Sequence, residues 1–141
     1  MAVRKARAEW KGGLEDGSGT MTLGSGAFSG EFGFKSRFEN GPGTNPEELI
    51  GAAHAGCFSM AFSKVLGDAG FRPRSIRTEA SVHLDRSDGG FSITRIELTN
   101  ESQIDGIDES KFRELAETAK RNCPVSKLLA GAEITLTARL A

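Results

Sequence analysis

The chain has 141 residues, is 38% hydrophobic, and carries 18 basic against 19 acidic side chains for a formal net charge of -1. A chain of that size can form one globular domain that buries roughly two thirds of its unfolded surface without crosslinks. The charge balance excludes an extended nucleic-acid footprint and a polybasic membrane anchor, and the basic opening MAVRKARAEW has no apolar run behind it, so no ordinary secretory signal is expected.

Residues 1 to 40 read as strands joined by glycine-rich turns. Ala6, Ala8 and Trp10 alternate with Arg7 and Glu9, Gly12-Gly13 and Gly17-Ser18-Gly19 interrupt, and Met21 and Leu23 alternate again before Gly24-Ser25-Gly26. Phe32, Phe34 and Phe38 share one parity and Arg37 has the other, so on a strand Arg37 faces away from those rings unless a bulge intervenes. None of these glycines completes a phosphate-binding pattern.

Gly41-Pro42-Gly43-Thr44 leads into the stretch that organises the chain, TNPEELIGAAHAGCFSMAFSKVL. Asn45 is a helix cap, Pro46 suits the first helical position, and Glu48 falls where a capping box puts its acid. The helix should run from Pro46 to about Leu66 and stop at Gly67 or Gly70. From Leu49 to Phe62 it has no formal charge and is apolar on every side, which marks a core helix. That charge-free run falls short of the roughly 20 residues of a membrane span.

Ile76, Thr78, Ala80, Val82 and Leu84 then alternate with polar residues, Asp85 to Gly90 turns, and Phe91 and Ile93 return as a hairpin. Ile96 and Leu98 have the opposite parity to Phe91 and Ile93, so a bulge is expected near Thr94-Arg95. Asp108 caps a second helix with Phe112, Leu115, Ala116 and Ala119 on one stripe. It ends before Cys123-Pro124, and Pro124 opens a short helix from Val125 to Ala130. A last strand alternates through Ala132, Ile134, Leu136, Ala138 and Leu140. This order predicts an α+β domain, antiparallel sheet with helices on one face, in a single unit from 1 to 141.

The only cysteines are Cys57, inside the central helix, and Cys123, 66 positions later. This is neither a CxxC redox loop nor a zinc ribbon. Cys57 has the bland reading of a small buried hydrophobe. A four-ligand zinc site would need Cys57, Cys123, His54 and His83 together; His54 reads more simply as a hydrogen-bonded core or interface residue and His83 as an ordinary strand residue. In the cytoplasm, where thiols stay reduced, a sparse cysteine pair points to redox chemistry. A peroxide-reducing thiol needs a thiolate, a cation to hold it and a second thiol to resolve the sulfenic acid. Burial opposes ionisation of Cys57, and at about 18 Å from the helix start the dipole does not reach it, so a cation must be brought in.

The stretch SRFENGPGTNPEELIGAAHAGCFSMAFS, the later Asn122-Cys123-Pro124-Val125-Ser126, and the order of strands between them resemble the OsmC family of osmotically inducible proteins, relatives of the organic hydroperoxide resistance proteins. The resemblance covers essentially the whole chain. It implies a thiol-dependent peroxidase without a cofactor or metal, and a homodimer whose sheets wrap two long central helices with active sites at the subunit interface. It further implies Cys57 as the peroxidatic cysteine, Cys123 as the resolving one, Arg37 as the activating cation and Glu48 as the acid that orients it. The cycle would reduce an organic hydroperoxide to an alcohol, pass through a Cys57-Cys123 disulfide and end on an external dithiol, with no nucleic-acid or membrane partner. Glu48 and Cys57, nine residues apart on one helix, project from opposite sides about 13 Å apart along the axis, so Glu48, with Arg37, is expected to serve the Cys57 of the partner chain. The rival reading is a redox-sensing or stress-linked binding dimer in which the same disulfide changes shape without turnover.

Overall fold

The computed structural model describes residues 1–141, which divide into two compact units, Met1–Leu49 and Ile50–Ala141. In the first unit, β1 (Ala6–Lys11), β2 (Ser18–Leu23) and β3 (Ser29–Phe32) form an antiparallel sheet in the order β1-β2-β3. Gly19 pairs with Trp10 on one side and Phe32 on the other, and a Cβ there would stand 2.6 Å from the Phe32 ring. Its bare backbone lets the Trp10 and Phe32 rings meet at a centroid distance of 5.3 Å.

After β3 the chain forms a one-turn helix, α1 (Phe34–Phe38), where a continued strand was expected. The Ser36 hydroxyl accepts the Gly33 N–H at 2.9 Å and so closes its first turn. The shared parity of Phe34 and Phe38 is also an i, i+4 spacing, which brings their rings to 5.0 Å on one helix face.

The central helix, α2 (Pro46–Asp68), begins as expected: the Glu48 N–H donates to Asn45 Oδ1 at 2.7 Å. It ends in a Schellman arrangement, with Phe71 N–H on Leu66 O, Gly70 N–H on Gly67 O, and Gly70 at φ +90°. Its length and hydropathy are those of a membrane span, longer than its charge-free run foretold. Yet from Gly51 onward its buried residues form one stripe, Gly51, His54, Phe58, Phe62 and Leu66, against the core of the second unit. The opposite face, with Ala52, Ala53, Gly56 and Met60, is exposed, Met60 at 77%. Within a single chain, therefore, α2 is buried on one side only, not all round.

The second unit continues with β4 (Pro73–Ser87) and β5 (Gly90–Ile104), an antiparallel pair joined by Asp88 and Gly89, both at positive φ as a two-residue hairpin turn requires. The register shifts between His83 paired with Arg95 and Leu84 paired with Ile93, so Thr94 is the extra residue and the anticipated bulge is present. Helix α3 (Glu109–Asn122) is capped by Asp108, whose Oδ1 accepts from Lys111 N–H at 2.7 Å, and α4 (Pro124–Leu128) follows Cys123. The last strand, β6 (Glu133–Leu140), pairs with β5 in parallel, which corrects the all-antiparallel expectation. Alternation reads the same in either direction, and here α3 and α4 carry the chain back across the sheet before it re-enters.

Phe58, Phe62, Leu66, Ile96, Leu98 and Phe112 are the largest fully buried apolar side chains of this core, and the Phe62 and Phe112 rings lie 5.6 Å apart. A polar seam fixes α2 on the sheet: Ser59 Oγ bonds Thr78 Oγ1 at 2.8 Å, Asn100 Nδ2 donates to Thr78 Oγ1 and Arg77 O, and Ser102 Oγ donates to Asn100 Oδ1. Asn100 and Ser102 are fully buried, and the seam satisfies both.

Candidate active site

In the first unit, Arg37 stands in the last turn of α1 and Glu47 in the first turn of α2. Arg37 Nη2 and Nε donate to Glu47 Oε1 at 2.8 and 3.2 Å. The Glu47 side chain is 10% exposed and that of Arg37 38%, so the carboxylate is buried while the guanidinium keeps access to solvent. Glu48, expected to orient the arginine, does not touch it: its Oε2 accepts the Thr44 hydroxyl at 3.0 Å. Successive helical residues diverge by about 100°, so only one of two adjacent acids can face α1, and that one is Glu47. Beside the pair, Trp10, Leu14, Phe32, Phe34, Arg37 and Phe38 line a mostly apolar cleft of about 300 Å³.

In the second unit, the helices close the 66-residue gap between the cysteines. Cys57 projects half-buried from α2, Cys123 is fully buried at the joint between α3 and α4, and their Sγ atoms are 2.9 Å apart as free thiols. Pro124 creates that joint: it cannot continue α3 but it starts α4, so Cys123 is at once the last cap of one helix and the first of the next.

The two sulfurs are electrostatically unlike. Burial pushes the Cys57 thiol up from its ordinary value and the hydrogen bond shared with Cys123 pushes it further, while the Val125 N–H pulls it partly back. Burial also raises Cys123, but donors outweigh it: the Cys57 thiol, the Ser126 N–H and hydroxyl, and the Val125 N–H bring Cys123 below its ordinary value. Within its own unit, then, Cys57 is the thiol pushed up and Cys123 the one pulled down.

His54 lies one turn before Cys57 and is fully buried, with Nε2 2.8 Å from Ser126 Oγ. Burial lowers its pKa and keeps the ring neutral. His83, by contrast, sits on the hairpin beside Glu97 and Arg95. No three His, Cys, Asp or Glu side chains are arranged to hold a metal ion. The four residues expected to form the site thus fall into two groups, Cys57 with Cys123, and Arg37 with Glu47 in place of Glu48. The pairing of Arg37 with Glu47 was not anticipated, because capping logic favours the acid at the third helical position.

Comparison with known proteins shows the family of the chain. Residues 39–139 match the family described as OsmC-like protein. The chain is 52% identical over 138 residues to the peroxiredoxin OsmC of Escherichia coli (strain K12), covering 97% of this chain and 96% of that protein. It is 36% identical over 94 residues to the organic hydroperoxide resistance protein OhrB of Bacillus subtilis (strain 168), covering 66% and 67% of the two. The crystal structure of OhrB from Bacillus subtilis superposes with a TM-score of 0.68 at 28% identity, over 97% of this chain and 98% of that one.

Proposed function

The chain belongs to the OsmC-like protein family, and on that premise we propose that it is a cysteine-based peroxidase that reduces organic hydroperoxides to alcohols at the expense of an external dithiol. The observation that carries the proposal is the 2.9 Å separation of the Cys57 and Cys123 sulfurs. A disulfide of about 2.05 Å then needs only a small closing movement. The Cys57 thiolate attacks the distal peroxide oxygen, the O–O bond breaks, and the alkoxide leaves as alcohol with a proton. The Cys57 sulfenic acid condenses with the Cys123 thiol, releasing water and forming the disulfide, and two electrons from the dithiol restore both thiols.

The thiolate is the demanding part. Cys57 is pushed up by its own surroundings, so the cycle requires a cation within about 4 to 6 Å to reverse that direction. We assign this to Arg37, held by Glu47. Glu47 precedes Cys57 by ten residues on one helix, about 15 Å along the axis, which favours service of the partner's thiol in a homodimer. The exposed apolar face of α2, Ala52, Ala53, Gly56 and Met60, supports the same assembly, since a second copy of this face would cover it. The cleft beside Arg37 suits an alkyl or aryl group on the peroxide better than hydrogen peroxide. We treat residues 1–141 as one functional domain, because the family match runs through the boundary between the units. The setting assigned is the cytoplasm, whose poise keeps both thiols reduced between cycles.

Consumption of cumene hydroperoxide in excess dithiothreitol tests the proposal. An enzyme removes many equivalents per chain; removal of about one equivalent would instead identify a redox sensor.

A further inference from the structure

Two side-chain hydrogen bonds join α2 to the start of α4, and they sit one turn apart on both elements. Cys123 Sγ lies 2.9 Å from Cys57 Sγ, and His54 Nε2 lies 2.8 Å from Ser126 Oγ. His54 stands one turn before Cys57 and Ser126 one turn after Cys123, so the two bonds are successive rungs, about 4.5 Å apart, between segments that run past each other in opposite senses. The turn that carries the second pair is closed by Lys127 N–H on Cys123 O at 3.1 Å.

Ser126 is the one buried residue of α4, and its side chain carries too little apolar area to anchor a helix by packing. Val125 and Leu129 lie beside it, partly buried against the core. Apolar packing of that kind is non-directional, whereas a hydrogen bond holds to a narrow range of distance and angle. The register of α4 on α2 is thus set by the His54 bond. The ring is fully buried and its Nδ1 has no partner, so the bond to Ser126 is the polar contact that its side chain makes.

We propose that His54 is a positioning residue for the thiol pair: by holding Ser126 it keeps the cap of α4 in register with α2, and so sets the effective concentration of the Cys123 thiol at Cys57. The His54–Ser126 bond and a Cys57–Cys123 disulfide favour the same arrangement, and each therefore strengthens the other by the same factor. Its place in the catalytic cycle rests on the peroxidase reading. There the register brings the Cys123 sulfur onto the Cys57 sulfenic acid; the S–S bond forms, the S–O bond breaks, and the hydroxyl leaves as water with the Cys123 proton. The arrangement accounts for a histidine buried one turn from Cys57 without being directed at it.

The test is the thiol–disulfide equilibrium of the full chain in mixtures of reduced and oxidised dithiothreitol, read by mass spectrometry after alkylation and without peroxide. Each disulfide formed in the protein transfers two electrons and two protons to oxidised dithiothreitol, whose own S–S bond breaks. Ser126→Ala should lower the equilibrium constant for the protein disulfide roughly fivefold, the value of one neutral hydrogen bond. His54→Leu should lower it as much, and His54→Gln, whose amide can reach Ser126, should return it close to the parent value. Combining His54→Leu with Ser126→Ala should cost no more than either alone, because both remove the same bond. The Ser126→Ala and His54→Gln pair decides the outcome if His54→Leu fails to fold. An equilibrium constant that Ser126→Ala leaves unchanged overturns the proposal even where the variant melts earlier, since lost global stability does not itself move a thiol–disulfide equilibrium within the folded protein. Additive losses in the double variant overturn it as well. Failure of the parent protein to turn over peroxide would sink the peroxidase reading alone, since the equilibrium is read without it.

Discussion

Arg37 donates two hydrogen bonds to a single oxygen of Glu47, although Glu48 is the next residue in the chain. The buried Glu47 carboxylate fixes the guanidinium, while the exposed Glu48 braces Thr44 at the entrance to α2. Glu47→Gln should therefore lower kcat/KM for cumene hydroperoxide by roughly 10 to 100-fold, the value of one charge-assisted interaction of about 1.5–3 kcal/mol. Glu48→Gln should cost less than about threefold. Steady-state kinetics of the two variants side by side checks the assignment, and the reverse order of effects would return the role to Glu48.

The unlike cysteines should fail in unlike ways. Cys57→Ser should abolish peroxide consumption. Cys123→Ser should allow one oxidation of Cys57, trapped by dimedone and read by mass spectrometry, and then stop. Parent-rate turnover by Cys57→Ser would remove the peroxidase proposal altogether.

Trp10 packs on Phe32 and closes one side of the cleft next to Arg37. Trp10→Ala should raise KM for cumene hydroperoxide roughly tenfold, in line with the loss of a large aromatic contact, and leave the rate with hydrogen peroxide nearly unchanged. Equal loss with both peroxides would show that the cleft does not select the organic group.

The exposed face of α2 predicts that Ala53→Glu, a charge set among Ala52, Gly56 and Met60, disrupts self-association. Analytical ultracentrifugation should give a dimer for the parent and a monomer for the variant, and if sites are completed by the partner the monomer should be nearly inactive. A fully active monomer would place the whole site within one chain.

Local chemistry was legible in the sequence where one residue type decides the backbone. Asn45 and Asp108 cap their helices as read, Gly70 ends α2, and the parity slip between Ile93 and Ile96 located the bulge at Thr94. Four features were not legible, each because a pattern had two solutions. The spacing of Phe34 and Phe38 fits a strand and a helical turn equally. The alternation of Ile134, Leu136 and Ala138 does not say whether β6 runs with or against β5. The all-apolar wheel of α2 does not say whether its second face is covered by its own chain or left open, as here. The choice between Glu47 and Glu48 is of the same kind, since it depends on where α1 lies.

The proposed cycle begins with an ionised Cys57, although burial and Cys123 both raise that thiol. A cation lowers a thiol pKa by favouring the charged form, so the thiolate is present above the lowered midpoint and lost below it. The decisive measurement is the absorbance titration of Cys57 in the intact assembly of Cys123→Ser, with and without Arg37→Gln. The account predicts a midpoint below about pH 7.5 with Arg37, moving above the usual thiol value of about 8.5 without it. A midpoint at or above the usual value with Arg37 in place would contradict it.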